Sequence, residues 1–405
     1  MKKLISGISA ILVSVAMMGV AEAQEGAVRA EVGKPLQAAQ ELLRAQRFKD
    51  ALGKIREADS ASNKTANETL LIERMRMSAA VGLGDLDTAQ RAFDALGASP
   101  KISSAERLKM VESLALLAYR AQKYPAAIQW AQRYLRDGGT SSAIRSTLIN
   151  SMYQSRDYAG VAKEMTSEIN AAERAGSAPS EDRINLLMNA QLQMRDMSGY
   201  VWSLEKLVTY YPKKEYWINL LQRLQSKKNF SDRFALDTLR LSLATGGMTK
   251  TQDFMEMAQL AVQAGYPAEG LAVLAQGYKQ GALGSGADAD RQRRLKDLIT
   301  KRAEEAKAAQ SAALAEAEGA RTGDALVQIG FATHTQGQSK RGIEMIQKGI
   351  EKGGLKRPED AKLHLGIAQI QSGDVSRGVA TLKTVGGTDG SAELAHLWTV
   401  YSRRK

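Results

Sequence analysis

The chain has 405 residues, no cysteine, three histidines and a formal net charge of +12 at neutral pH. Without thiols it can make no disulfide, thiolate metal site or cysteine nucleophile. Its basic residues are spread along the sequence and form no single block, which argues against nucleic acid and favours acidic partners of other kinds.

The first residues read as a Sec-type signal peptide over 1–23. Lys2 and Lys3 supply its positive region, Ile11 to Val20 its apolar stretch, and Ala21-Glu22-Ala23 a small-x-small cleavage site. The apolar stretch is too short for a comfortable membrane span, and no cysteine follows it for lipid attachment. The expected mature chain begins at Gln24, is soluble and lives in the periplasm.

From there the sequence breaks into helix pairs. The first runs from about Val32 to Ala58, with Phe48, Ala51 and Ile55 marking its second helix. The next, Leu70 to Leu96, turns at Gly84-Asp85-Leu86. The third, Glu106 to Leu135, turns at Gln122-Lys123-Tyr124, with Pro125 in the first turn of the following helix, where its missing N–H costs nothing. Further turns fall at Arg156-Asp157-Tyr158 and Arg195-Asp196-Met197. Trp217, Leu220, Leu221 and Leu224 then recur at helical spacing, a partner helix starts near Asp232, and Gln252 to Gly277 forms a pair turning at Gly265-Tyr266-Pro267.

Gly281 to Gly286 breaks this pattern, and Asp288 to Glu318 is rich in Ala, Glu, Lys, Arg and Gln with few large apolar residues. It reads as a weakly packed repeat or one long exposed helix, and as the best hinge candidate. The clearest repeats follow. Leu326-x-x-Ile329-Gly330-x6-Gly337-x4-Gly342-x3-Ile346 returns 36 positions later as Lys362-x-x-Leu365-Gly366-x6-Gly373-x4-Gly378-x3-Leu382. Such a period fits two antiparallel helices with small residues where they touch, and it is the signature of the tetratricopeptide repeat. A last helix, Ala392 to Tyr401, would cap the stack. The expected class is all-α, a right-handed α-solenoid of tetratricopeptide-like helix pairs. Its expected divisions are an N-terminal solenoid at 24–280, a degenerate segment at 281–323 and C-terminal repeats at 324–405.

No Gly-rich phosphate loop, G-x-S-x-G elbow or H-E-x-x-H motif is present, so no enzyme activity and no cofactor are expected. His334, His364 and His396 fall on successive repeats, and read as surface or packing residues more readily than as metal ligands. Solenoids bind on their concave surface. Projecting the register onto it gives Arg74, Tyr119, Arg120, Tyr153, Gln154, Arg183, Gln193 and His334 as candidate partner-binding residues. Tyr119, Tyr153 and His334 share one repeat position; with the interleaved arginines they suit an extended peptide carrying acidic groups. A cluster of aromatics, Tyr200, Trp202, Tyr210, Tyr211, Tyr216 and Trp217, reads as packing between the fifth and sixth pairs, with an exposed anchor as the alternative.

Three stretches go beyond a generic repeat: Tyr211-Pro-Lys-Lys-Glu-Tyr-Trp-Ile-Asn-Leu220, Ala235 to Thr249 with its Gly246-Gly247-Met248, and Lys348 to Pro358 followed by Leu365-Gly366. Over about 182–385 the chain resembles the periplasmic tetratricopeptide proteins associated with TonB–ExbB–ExbD energy-transduction systems. The resemblance implies a non-enzymatic interaction scaffold, an accessory of TonB-dependent transport touching one of the TonB-complex components, with no catalytic residues to carry over. Two other readings stay open: a binder of anionic envelope polysaccharide or peptidoglycan, and a peptide-holding chaperone.

Overall fold

The computed structural model describes residues 28–403 with the exception of Ala98; the expected leader at 1–23 and the last two residues of the basic tail lie outside the described residues. Every regular element among those described is helical, as the repeat pattern predicts. The chain divides into two compact units between Ser167 and Glu168. That division falls inside a helix, and the 281–323 segment belongs wholly to the second unit.

The first unit contains α1 (Ala30–Arg44), α2 (Phe48–Asp59), α3 (Ala66–Leu83), α4 (Leu86–Gly97), α5 (Ser104–Arg120), α6 (Tyr124–Arg136), α7 (Ser142–Gln154) and the start of α8 (Tyr158–Arg174). Alanines do much of the packing: Ala51, Ala79, Ala89, Ala115, Ala118, Ala127 and Ala131 have no exposed surface, so neighbouring helices approach closely. Ser103 caps α5 through the Glu106 amide. Thr65 and Glu68 form a reciprocal capping box at the start of α3.

The second unit continues with α9 (Glu181–Gln193), α10 (Met197–Tyr210), α11 (Lys214–Gln225), a 3-10 turn (Asp232–Phe234), α12 (Ala235–Ala244), α13 (Thr251–Gln263), α14 (Pro267–Lys279), α15 (Ala289–Gly319), α16 (Asp324–Thr335), α17 (Ser339–Lys352), α18 (Pro358–Gln371), α19 (Val375–Leu382) and α20 (Ser391–Ser402).

One turn recurs within eight helix pairs. Gln46, Gly84, Gln122, Arg156, Arg195, Gly265, Gly337 and Gly373 all take φ between 57° and 96°. In each, the amide of the next residue bonds back to a carbonyl five positions earlier, as in Lys123 to Ala118 and Asp374 to Gln369. This is the hydrogen-bond pattern of a Schellman C-cap. Where that next residue is aspartate, its side chain accepts from the first turn of the following helix: Asp85 from Thr88, Asp157 from Gly160, Asp196 from Gly199 and Asp374 from Arg377.

The expected small-residue contacts are present in the last two pairs. A Cβ placed on Gly330 would lie 2.8 Å from the Gly342 carbonyl oxygen, and one on Gly342 would lie 2.6 Å from that of Gly330. Gly366 and Gly378, 36 positions on, face each other in the same way. The 281–323 segment forms a single 31-residue helix, α15, with only Gln292, Ile299 and Ala317 buried. Of the two readings the sequence allowed, the long exposed helix is the one adopted.

The second unit also does something that a repeat pattern does not announce. Its last helices return to its early ones: α20 meets both α10 and α12. The Ser231 amide bonds to the Asp389 carbonyl at 2.9 Å, and the Asn229 side chain donates to the Thr388 carbonyl. Arg233 donates through Nε and Nη2 to Asp360, each at 3.1 Å, and through Nη2 to Asp389 at 2.5 Å. Gly390 lets the chain pass under the Phe230 ring, which any side chain there would overlap.

Candidate partner-binding surface

Tyr119, next to last in α5, has its ring centre 6.1 Å from that of Tyr124, the first residue of α6. Tyr153 repeats the arrangement with Tyr158, ring to ring at 5.4 Å and nearly perpendicular. Both pairs straddle a Schellman turn, and all four tyrosines are half-buried. Beside them Arg120, Gln154 and Arg156 are exposed. Arg74 differs: its guanidinium forms a fork with Glu106 at 2.7 and 2.8 Å, joining α3 to the first turn of α5.

In the second unit Gln193 is exposed, while Arg183 lies 3.5 Å from Glu168. His334 departs from the expected exposure. It is 7% exposed, because α18 lies over it: Nε2 meets Gln371 Oε1 at 2.8 Å and Nδ1 meets Ser339 at 3.1 Å. Burial pushes its pKa below the ordinary value. The repeat position it shares with Tyr119 and Tyr153 is covered here by the unit's own helices.

Within its largely apolar interior the second unit buries a cluster of charged groups. Arg240, on α12, forks onto Glu269 of α14 and also donates to Asp237 at 2.6 Å. Its guanidinium lies 4.6 Å from the Phe331 ring centre and 5.2 Å from that of Tyr266. His364 stacks on the other neighbour of this group, Phe331, at 4.6 Å and reaches Asp237 through Nε2 at 3.1 Å. Burial alone would raise the Asp237 carboxyl, but His364 and Arg240 outweigh it and hold the group well below the usual carboxylate range. Burial likewise opposes the charge on Arg240, and Glu269 and Asp237 overcome it. Both carboxylates of this cluster accept hydrogen bonds from the Arg240 guanidinium, which is the condition for burying them. Among the described residues no three His, Asp or Glu side chains gather as a metal site.

The aromatic cluster is used in packing. Trp217 and Tyr200 are buried. Tyr210 donates to Glu173 at 2.8 Å, Tyr211 to the Pro179 carbonyl at 2.7 Å, and Tyr216 to Glu181 at 2.6 Å. The Tyr210 and Tyr216 hydroxyls tie α10 to α8 and α11 to α9, and that of Tyr211 ties the end of α10 to the loop before α9.

Sequence projection missed the large apolar side chains left in water at the turns. Leu83 is 46% exposed, Leu192 43%, Met194 36% and Met197 41%. The signal was present: Leu83 and Met194 stand where the equivalent turns carry Ala45, Ala121 and Ser155. Unbranched, polarizable methionine is common on surfaces that adapt to partners.

A scan against protein-family models finds no match, and a search of curated proteins finds none. Among solved structures, yeast Tom70 aligns over 92% of this chain and 96% of its own at 10% identity, with a TM-score of 0.25. The tetratricopeptide domain of P58(IPK) aligns over 93% and 98% at 14% identity and TM-score 0.23. The maize pentatricopeptide protein PPR10 aligns over 91% and 61% at 14% identity and TM-score 0.28. No helix among the described residues is long and apolar enough to cross a membrane.

Proposed function

We propose that this chain is a non-enzymatic periplasmic scaffold that holds other proteins, acting as an accessory of TonB-dependent transport. The observation that carries the scaffold reading is the turn edge of the first unit. There the pairs Tyr119–Tyr124 and Tyr153–Tyr158 stand beside exposed Arg120 and Arg156, with Leu83 exposed at an equivalent turn. Tyrosine provides contact area at low entropic cost, and arginine pairs carboxylates in a fork. The periplasmic assignment rests on the leader sequence, and the TonB assignment on the sequence resemblance over 182–385.

In-cell crosslinking followed by affinity capture from envelope extract tests this reading. TonB-complex or receptor proteins should copurify with the native chain and fall away with a Tyr119→Ala/Tyr153→Ala variant of unchanged melting temperature. Capture of glycan with no enriched protein would sink the scaffold reading in favour of a polysaccharide binder.

A further inference from the structure

α15 is the longest helix among the described residues, and of its 31 residues only Gln292, Ile299 and Ala317 are buried. Its outward side is ordered. From Arg291 to Ala315, residues spaced alternately three and four apart are all exposed, the spacing at which one helix presents a continuous seam to another. The first half of this seam is large: Arg291, Arg294, Leu298 and Lys301, with Leu298 52% exposed. Beyond Glu305 the second half is small: Ala308, Ala312 and Ala315.

Charge divides the same way. Residues 289–302 hold six Lys and Arg against two Asp, and residues 303–319 hold four Glu against one Lys. The helix itself gains nothing from this order. Arg291 stands in its first turn and Glu316 and Glu318 in its last, the ends at which the macrodipole disfavours those signs. Within the described residues the ion pairs of α15 are Arg293 with Asp290 and Arg302 with Glu305. That leaves Arg291, Arg294, Lys301, Glu304, Glu316 and Glu318 without one.

Turned end for end, the helix complements itself. In an antiparallel pair with Leu298 over Ala308 of a second copy, Arg291 falls on Ala315, Arg294 on Ala312 and Lys301 on Glu305. The aliphatic stems of the long residues then cover small ones. The basic half of each copy faces the acidic half of the other, and one two-fold axis forms both contacts at once.

We propose that α15 is a self-association seam through which two copies of this chain pair in antiparallel. The seam is separate from the turn edge of the first unit and does not depend on the TonB reading.

Sedimentation equilibrium of the chain from Gln24 tests it, at up to about 200 μM, the range in which small, specific interfaces are populated. The native chain should form a dimer. It should shift toward monomer as salt rises from about 0.1 to 1 M, which shortens the Debye length from ~10 to ~3 Å. Arg291→Glu/Arg294→Glu/Lys301→Glu and, separately, Glu305→Lys/Glu316→Lys/Glu318→Lys should each sediment as monomer. Both should keep the native circular dichroism, because every substituted side chain is exposed. Mixing the two restores the charge match and should return a one-to-one dimer. Direction is read from introduced cysteines, since the native chain has none. Arg294→Cys mixed with Ala312→Cys should form a disulfide between copies under mild oxidation. Neither alone should, because in the antiparallel pair each stands about 27 Å from its own counterpart, at ~1.5 Å per residue. A native chain that stays monomeric overturns the proposal. So does a dimer that survives either charge reversal, or one that fails to return on mixing. A disulfide from Arg294→Cys alone, the mark of a parallel pair, overturns it too. None of these results depends on what the crosslinking capture returns.

Discussion

Arg240 and Glu269 meet as a two-armed pair in the interior of the second unit, Nε to Oε1 at 2.7 Å and Nη2 to Oε2 at 2.6 Å. The same guanidinium holds Asp237, which in turn holds His364. Arg240→Met would leave two carboxylates in a low-dielectric site without their cation. Breaking a buried pair from one side costs about 3–5 kcal/mol, and urea denaturation followed by tryptophan fluorescence should show a loss of that order. Arg240→Lys should lose less, but still measurably, because a point charge cannot fill a fork. A Lys variant as stable as the native chain would show that the fork geometry contributes nothing.

Four of the eight equivalent turns place a residue with a Cβ in the left-handed region: Gln46, Gln122, Arg156 and Arg195. The others use glycine, which enters that region without steric cost. Gln122→Gly and Arg156→Gly should each raise the free energy of unfolding by about 0.5–1 kcal/mol, read as a higher melting temperature. A lower melting temperature would mean that these side chains make contacts worth more than the strain.

Much of this architecture was legible in the sequence, and the reason is locality. Gly330, Gly342, Gly366 and Gly378 report a helix-to-helix contact within one pair, and such contacts repeat with the chain. The same holds for the Asp85, Asp157, Asp196 and Asp374 turns. Arg233 and Asp389 are 156 residues apart, and no period connects them, so no single repeat announces their meeting. The burial of His334 depends on side-chain detail of the next pair, where Gln371 of α18 reaches its Nε2. Its repeat position is open beside Tyr119 and Tyr153 but covered by α18 in the second unit. The turn residues Leu192, Met194 and Met197 were visible as letters, yet their exposure depends on what the neighbouring helices leave uncovered.

Glycine substitutions should divide by location. Gly330→Ala would force a Cβ against the Gly342 carbonyl at 2.8 Å. The backbone of α16 or α17 must then move, at a cost of about 1–3 kcal/mol, typical of overpacking. Gly53, inside α2, has nothing within 4 Å of where a Cβ would sit. Gly53→Ala should therefore gain about 1 kcal/mol from helix propensity. Thermal melts of the two variants should move in opposite directions.

The start of α3 should respond to acid. Hydrogen bonds from the Arg29 side chain and the Thr65 amide hold the Glu68 carboxyl at about 2, below its ordinary value of 4.5. A carboxyl lowered on folding stabilises the native state above its unfolded value, and that contribution disappears as pH falls through the folded one. Amide exchange in α1 to α3 should therefore accelerate between the two values. In Glu68→Gln it should be faster at neutral pH and insensitive to this window.

His334 and His396 should give opposite signs. Burial lowers His334, so its contribution is present at neutral pH and lost as pH falls below the ordinary value of 6.5. The neighbouring Glu205 carboxylate, 3.6 Å from Nε2, raises His396, so its contribution is full below 6.5 and lost as pH rises through the raised value. Imidazole proton shifts followed by NMR should show His334 titrating below His396.

An open row of helical repeats can gain or lose a member with little consequence, because each touches only its neighbours. The second unit does not have that freedom. Arg233 on one side must find Asp360 and Asp389 on the other, so inserting or deleting one pair between α13 and α17 should carry those carboxylates out of reach. Changes to this half that keep the number of its helices preserve those contacts; changes of number should not.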